Sequence, residues 1–299
     1  CNLTDSDSHT NIAFLRNITI EPMIPFFQYQ CMAKRINTDI YLCDFDNIMQ
    51  DVLDENSGLY KHNPKIIFIF IKLELIASRL CLQFPGLSPT EITNQIDDVI
   101  NYYQLMLDSL REKSDALIVF NNFELNPFPS GGILDSQKIN GSINSIKRLN
   151  KKLLSLKNKY QGVLILDLEI VATRIGFVNY QNNMQWHMSK MPFSNLAMRN
   201  ISSEAAKYVV AAEGDIKKCI ILDCDNTLWG GVVGEDGSNG IIIDQNHPGS
   251  YFTQFQKDLL NLKSQGILLA ICSKNNHNDV LSVFQDNENM ILKENDFSS

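Results

Sequence analysis

The sequence has no CxxC pair, no long apolar run and no block of basic residues, and each absence removes a class of protein. Its seven cysteines are scattered at positions 1, 31, 43, 81, 219, 224 and 272. An odd, unpatterned set fits neither a disulfide framework nor a thiol-rich metal site. Cys43, Cys219 and Cys272 lie in or beside apolar runs, where cysteine acts as a small hydrophobe. The longest apolar run, 66–71, is far shorter than the ~20 residues a membrane span requires. With 26 basic against 34 acidic residues, the formal net charge is -8, which argues against nucleic acid or an acidic membrane surface as partner. The start shows no signal-peptide pattern, so the expected location is cytoplasmic. There is no internal repeat and no low-complexity tract.

What is present reads as an ordinary globular chain. The 299 residues are enough for two domains, and 44% apolar with 20% charged residues is typical of folded proteins. Short apolar runs at 12–15, 40–43, 66–71, 117–120 and 163–168 alternate with helix-like segments. The segments 92–113 and 143–160 are long and periodic; in the second, Ile146, Leu149, Leu153 and Leu156 form one stripe, which reads as core. This alternation predicts a parallel, doubly wound α/β sheet. A polar stretch at 179–194 reads as irregular. Residues 201–213 read as a connecting helix, with Ser202 as N-cap and Gly214 as stop. The expected domains are 1–190 and 191–299.

The strongest chemical signal is CIILDCDNTLWGGVVGEDG at 219–237. An apolar strand-like run delivers two acids, Asp223 and Asp225, where the strand ends and both carboxylates can turn to one site. Two close carboxylates stay ionised together when a divalent cation lies between them, and Mg²⁺ favours such hard oxygen ligands. A carboxylate in that setting can attack phosphorus, and the second can serve as acid and base. A second apolar run, ILLAICSKNN at 267–276, ends on Ser273 with Lys274 and Asn275 beside it. Glycines at 230, 231, 234, 237 and 240 permit tight turns after the first run.

These strings resemble motifs I and II of the haloacid-dehalogenase-like (HAD) phosphatases and phosphotransferases. The resemblance implies Asp223 as nucleophile, Asp225 as general acid and base, and Ser273 as a donor to the phosphoryl oxygens. It implies Mg²⁺ as cofactor, held by the Asp223 carboxylate and the Asp225 main-chain carbonyl. Asn226, Thr227, Trp229, Lys274 and Asn275 are the implied substrate-contacting positions. Only about 40 residues separate the glycine-rich flap from Ser273, which leaves no room for a large cap. The longer string LDCDNTLWGGVVGEDG with SKNN resembles the FkbH-like branch of HAD subfamily IIIC. Upstream, ITIEPMIPFFQYQC, DFDNIMQDVLDENSGLY, NPKIIFIFI and WHMSKMPFS resemble the amino-terminal domain of that branch, which is similar to the SGNH-hydrolase fold. Where such hydrolases carry Gly-Asp-Ser, this chain reads LRNITIEP, with no serine for His187 to activate. The first domain is therefore expected to be non-hydrolytic, with Asn17, Asn121 and Glu124 at strand ends available to line a crevice.

The leading expectation is a Mg²⁺-dependent phosphatase or phosphoryl-transfer enzyme acting on an acyl phosphate or another phosphorylated small molecule. The same resemblance offers two alternatives. FkbH-like proteins take a glyceryl group from 1,3-bisphosphoglycerate and load it on an acyl carrier protein as a thioester, which makes Cys224 a candidate acyl acceptor. An inactive module that docks a carrier protein is the other. HAD sites also need a lysine and an acidic pair, which the resemblance puts beyond Asp296 and Phe297. A fragment of a longer protein is thus expected, with 220–222 as an apolar strand edge.

Overall fold

The computed structural model describes residues 8–214 and 217–298. It divides into two compact units, 1–214 and 215–299. The first is built on five strands: β1 (Ser8–Arg16), β2 (Ile36–Leu42), β3 (Ile66–Phe70), β4 (Leu117–Asn121) and β5 (Val163–Leu166). They are all parallel, in the order β2-β1-β3-β4-β5. The predicted α/β class is the observed one.

The apolar runs explain this sheet. In β3 every residue of IIFIF is buried, as expected of a central strand covered on both faces. The pleat sends alternate residues to opposite sides. Leu15, Ile67, Ile69, Ile118 and Phe120 join one core with the helices Pro89–Lys113 and Ser142–Lys157. Ile12, Phe14, Ile66, Phe68 and Val119 join the other, under the helices Ile24–Met32, Leu168–Ile175 and Asn195–Ala212. There Phe14 stacks on Phe68 at 5.2 Å and meets Phe27 edge-on at 5.1 Å. Each such buried ring contributes about 1.5–3 kcal/mol by leaving water.

Sequence expectations are corrected in two places. The first concerns the domain boundary, which falls after Gly214 and not near 190. The helix Asn195–Ala212 is no connector: Ala197, Met198, Ile201, Ala205 and Val209 are buried in the first unit. Its N-cap is Ser194, whose Oγ accepts from the Ala197 amide at 3.1 Å. Ser202 is buried in mid-helix and donates to the Met23 carbonyl at 3.3 Å. Its far end is tied to the sheet by Glu213, which accepts from Thr10 Oγ1 at 2.6 Å and Lys65 Nζ at 2.8 Å. Gly214 then ends the helix at φ +80°, as expected of a left-handed stop. The second correction concerns the stretch 179–194, which contains the helix Asn183–Ser189, capped by Asn182 Oδ1 on the Gln185 amide at 3.1 Å.

The second unit pairs β6 (Cys219–Leu222) with β7 (Leu268–Ile271) in parallel, register Leu222 to Ile271. The helix Gly249–Ser264 lies between them in sequence and His277–Asp286 follows. Leu222, Leu228, Trp229, Leu259, Leu269, Val283 and Phe284 form its core. Among the described residues β6 bonds one neighbouring strand, and Ile221 is 69% exposed on its outer face.

Candidate functional site

Parallel pairing of β6 and β7 brings their C-terminal ends to the same side, the usual place for a site on such a sheet. The Cys272 amide donates to the Leu222 carbonyl at 2.8 Å, so the ladder runs to the base of both motifs. Asp223 and Asp225 follow one strand and Ser273 the other. Cys224 lies among them: its thiol is near enough to the Ser273 side chain and to both carboxylates for all three to influence its ionisation.

After β6 the chain curls. Leu228 and Thr227 amides both donate to the Cys224 carbonyl, at 2.8 and 3.2 Å. Asn226 takes a left-handed conformation at φ +56°, which asparagine tolerates better than most residues, and its Oδ1 accepts from the Gly231 amide at 3.0 Å. The flap then returns on itself: Gly230 and Ile242 exchange backbone hydrogen bonds at 2.9 and 2.7 Å. Gly240 has to be glycine, because a Cβ there would stand 2.1 Å from the Asp236 carbonyl oxygen.

This fold-back fixes the second acid. Asp225 Oδ1 accepts from Trp229 Nε1 at 3.0 Å and from the Val233 amide at 3.2 Å. Both of these hydrogen bonds go to the same carboxylate oxygen. The Asp223 residue is exposed, and one of its oxygens accepts from the Cys224 amide at 2.8 Å. The two acids thus differ: Asp225 is held by side chain and flap, whereas Asp223 is fixed by its own turn and open to a ligand.

The remaining candidates fall in different places. Trp229 is fully buried, with its ring 6.1 Å from that of Phe284, so it holds Asp225 from beneath and offers no face to a substrate. Thr227 is half-buried and Asn226 exposed, on the turn itself. Lys274 is exposed beside Ser273. Asn275 donates its amide N–H to Ser273 Oγ at 3.3 Å, and its own Nδ2 is buried without a hydrogen-bond partner. Cys224 is fully buried, and burial pushes its thiol up to about 11, the two neighbouring carboxylates adding to the shift and the Ser273 side chain opposing it. A protonated, enclosed thiol gives no support to the acyl-acceptor role.

Gln256 was not anticipated. It is fully buried, and its Nε2 donates to the Leu228 carbonyl at 2.7 Å. Its Oε1 accepts from the Ile291 and Leu292 amides, each at 3.0 Å. One side chain thus ties the motif turn to the segment after the last helix. The signal was a lone amide within the apolar stripe Phe252, Leu259 and Leu260 of its helix.

In the first unit, the strand-end asparagines brace the backbone. Asn17 Oδ1 accepts from the Lys72 amide at 2.8 Å, and Asn121 both accepts from and donates to the Ile71 backbone, at 2.8 and 3.0 Å. Glu124 instead lines a cavity with Lys72. His187 is exposed.

Asp223 and Asp225 offer hard oxygens of the kind Mg²⁺ prefers, and that ion commonly takes only one or two carboxylates beside water and phosphate oxygens. Among the described residues no group of three or more His, Cys, Asp or Glu side chains forms a fuller metal cage. The pair fits a shared Mg²⁺ and does not fit a closed all-protein site.

Two α/β units, the smaller carrying paired aspartates at a strand end, define the class. The family described as FkbH, N-terminal domain, matches residues 25–209, more than half of the chain, and the chain belongs to that family. The crystal structure of the N-terminal part of BF1531 from Bacteroides fragilis is described as containing a phosphatase domain complexed with Mg. It has the same fold, with a TM-score of 0.83 at 24% identity, covering 98% of this chain and 76% of that one. The lipase Lip_vut3 from a goat rumen metagenome is 15% identical with a TM-score of 0.49, covering 67% of this chain and 98% of that one. No curated protein matches the chain. No helix among the described residues is long and apolar enough to cross a membrane.

Proposed function

We propose that the second unit carries a Mg²⁺-dependent phosphoryl-transfer site of the HAD type, acting as a phosphatase on an acyl phosphate or another phosphorylated small molecule. The observation that carries this reading is the asymmetry of the acids: Asp225 anchored by Trp229 and Val233 through one oxygen, Asp223 exposed at the strand end. A nucleophile needs access, whereas an acid–base group needs a fixed orientation.

In the proposed cycle an Asp223 oxygen attacks the phosphorus atom and the bond to the leaving oxygen breaks. Asp225, protonated on its unanchored oxygen, gives that proton to the leaving group. Its carboxylate then takes a proton from water, which attacks the aspartyl phosphate, restores Asp223 and releases phosphate. Ser273 donates to the phosphoryl oxygens, for which it must exchange its contact with the Cys224 thiol. The buried, unpartnered Asn275 Nδ2 is a second donor beside it. Mg²⁺, held by the Asp223 carboxylate and the Asp225 main-chain carbonyl, would supply charge neutralisation for the transferring group.

The test is hydrolysis of acetyl phosphate by the whole protein, with Mg²⁺ and with chelator. Asp223→Asn should reduce turnover by at least ~10³-fold, as expected when a nucleophile is lost. Retention of full activity would refute the reading. The parent likeness to BF1531, whose phosphatase domain was crystallised with Mg, supports the choice of ion in this assay.

A further inference from the structure

The first unit contains a cavity of about 400 Å³, within the size range of small-molecule sites, that takes no part in the chemistry proposed above. It lies past the C-terminal ends of β3 and β4, between the segments that begin at Lys72 and Phe123. Parallel α/β sheets bind their ligands at this end. Its walls mix polar and apolar surface, with Leu73, Leu80, Phe123 and Ile146 buried and Trp186 on one side.

Three charged residues line it: Lys72, Glu74 and Glu124. Lys72 and Glu124 are paired, and the Glu124 side chain is only 7% exposed. Glu74 Oε1 accepts from Trp186 Nε1 at 3.3 Å, and no ion pair with Glu74 is present among the described residues. The Cys81 thiol lies within electrostatic reach of all three charges, so they form one cluster. The Tyr180 hydroxyl, within reach of Glu124, is buried and has no hydrogen-bond partner among the described residues. Outside the lining, the Lys190 ammonium is held over the Trp186 ring, 4.8 Å from its centroid. Two carboxylates against one ammonium leave the lining with one uncompensated negative charge. Inside a half-enclosed wall of which about half the surface is apolar, such a charge favours a cationic partner. An anion would have to break the Lys72–Glu124 pair to find a cation.

We propose that this cavity binds a small organic cation, an amine with an apolar body, whose ammonium group meets Glu74 and Glu124 while the body lies against Trp186 and Phe123. Binding is non-covalent and makes the first unit a ligand sensor or positioning module. It is independent of the phosphoryl site.

Calorimetric titration of the whole protein with 2-phenylethylamine, 2-phenylethanol and phenylacetate tests this, because the probes share a ring and differ in charge. The amine should bind at least ~tenfold more tightly than the alcohol, the scale of one charge-assisted hydrogen bond, and phenylacetate should not bind. Glu74→Gln should bring the amine to within a few-fold of the alcohol. Ser130→Trp, a substitution at an exposed lining position, should weaken binding of the amine in a chain whose circular dichroism is unchanged. Failure of the amine to bind at millimolar concentration overturns the proposal. So does binding of phenylacetate or the alcohol as tight as that of the amine, or an unchanged amine affinity in folded Glu74→Gln.

Discussion

The two units treat the ends of their strands in opposite ways. In the first, a five-stranded sheet is buried on both faces, and the strand-end amides of Asn17 and Asn121 brace the neighbouring backbone. In the second, a two-stranded sheet leaves Ile221 and Leu268 more than half exposed, and its strand ends carry Asp223 and Ser273. Polar groups saturated by backbone stabilise a fold. Polar groups left with spare oxygens or protons can meet a substrate. The contrast is the reason the proposed chemistry is assigned to the smaller unit, although the larger one has the more extensive core.

Breaking the site should have the largest effect. Asp225→Asn keeps an oxygen able to accept from Trp229 and Val233 but removes the proton carrier. Turnover of acetyl phosphate should fall by ~10²–10⁴-fold, with phosphoenzyme accumulating because the second half-reaction lacks its base. Single-turnover kinetics would show this as a burst without steady release. Gln256→Leu comes next, and acts on stability. It leaves one buried and one part-buried amide and a buried carbonyl without the Gln256 partner, so the second unit should lose about 2–4 kcal/mol in urea denaturation. Tyrosine-weighted signals from the first unit should unfold at an unchanged urea concentration.

Trp229→Phe sharpens the contrast between the acids. It keeps a buried aromatic ring but replaces the indole by a smaller phenyl, and with it removes the Nε1–H that holds Asp225. The kcat should drop by roughly tenfold with KM little changed, the signature of an orienting contact felt in the transition state. The smallest effect belongs to the first unit. Burial would raise the Glu213 carboxyl, but hydrogen bonds from Lys65 and Thr10, with the Lys65 charge, outweigh it and hold the group below its ordinary 4.5. A depressed folded-state pKa stabilises fully above 4.5 and is lost as pH falls through the folded value. Glu213→Gln should therefore cost a little stability at pH 7 and flatten the loss seen on acidification below 4.5, measured by urea melts across pH.

Much of the first unit was legible because continuous apolar runs such as 66–71 allow few structures other than buried parallel strands. The helix Asn195–Ala212 was read only in its second half, because its buried face is largely small residues, Ala197, Ser202, Ala205 and Ala206, which give little periodic contrast. Asn183–Ser189 escaped because seven residues hold barely two turns of pattern. At the site, the acids and the serine were visible from strand-end position. The Trp229 contact was not, because it depends on the flap folding back through Asn226 and the Gly230–Ile242 bridge, a tertiary event without a local signature.

The central claim is that Asp223 becomes phosphorylated. Brief reaction of the whole protein with acetyl phosphate and Mg²⁺, followed by acid quench and peptide mass spectrometry, reads this directly. One phosphoryl group on the peptide that contains Asp223, lost in Asp223→Asn and released by hydroxylamine, is the predicted result. Turnover with no phosphorylated peptide at any time point, including in Asp225→Asn, would contradict the account.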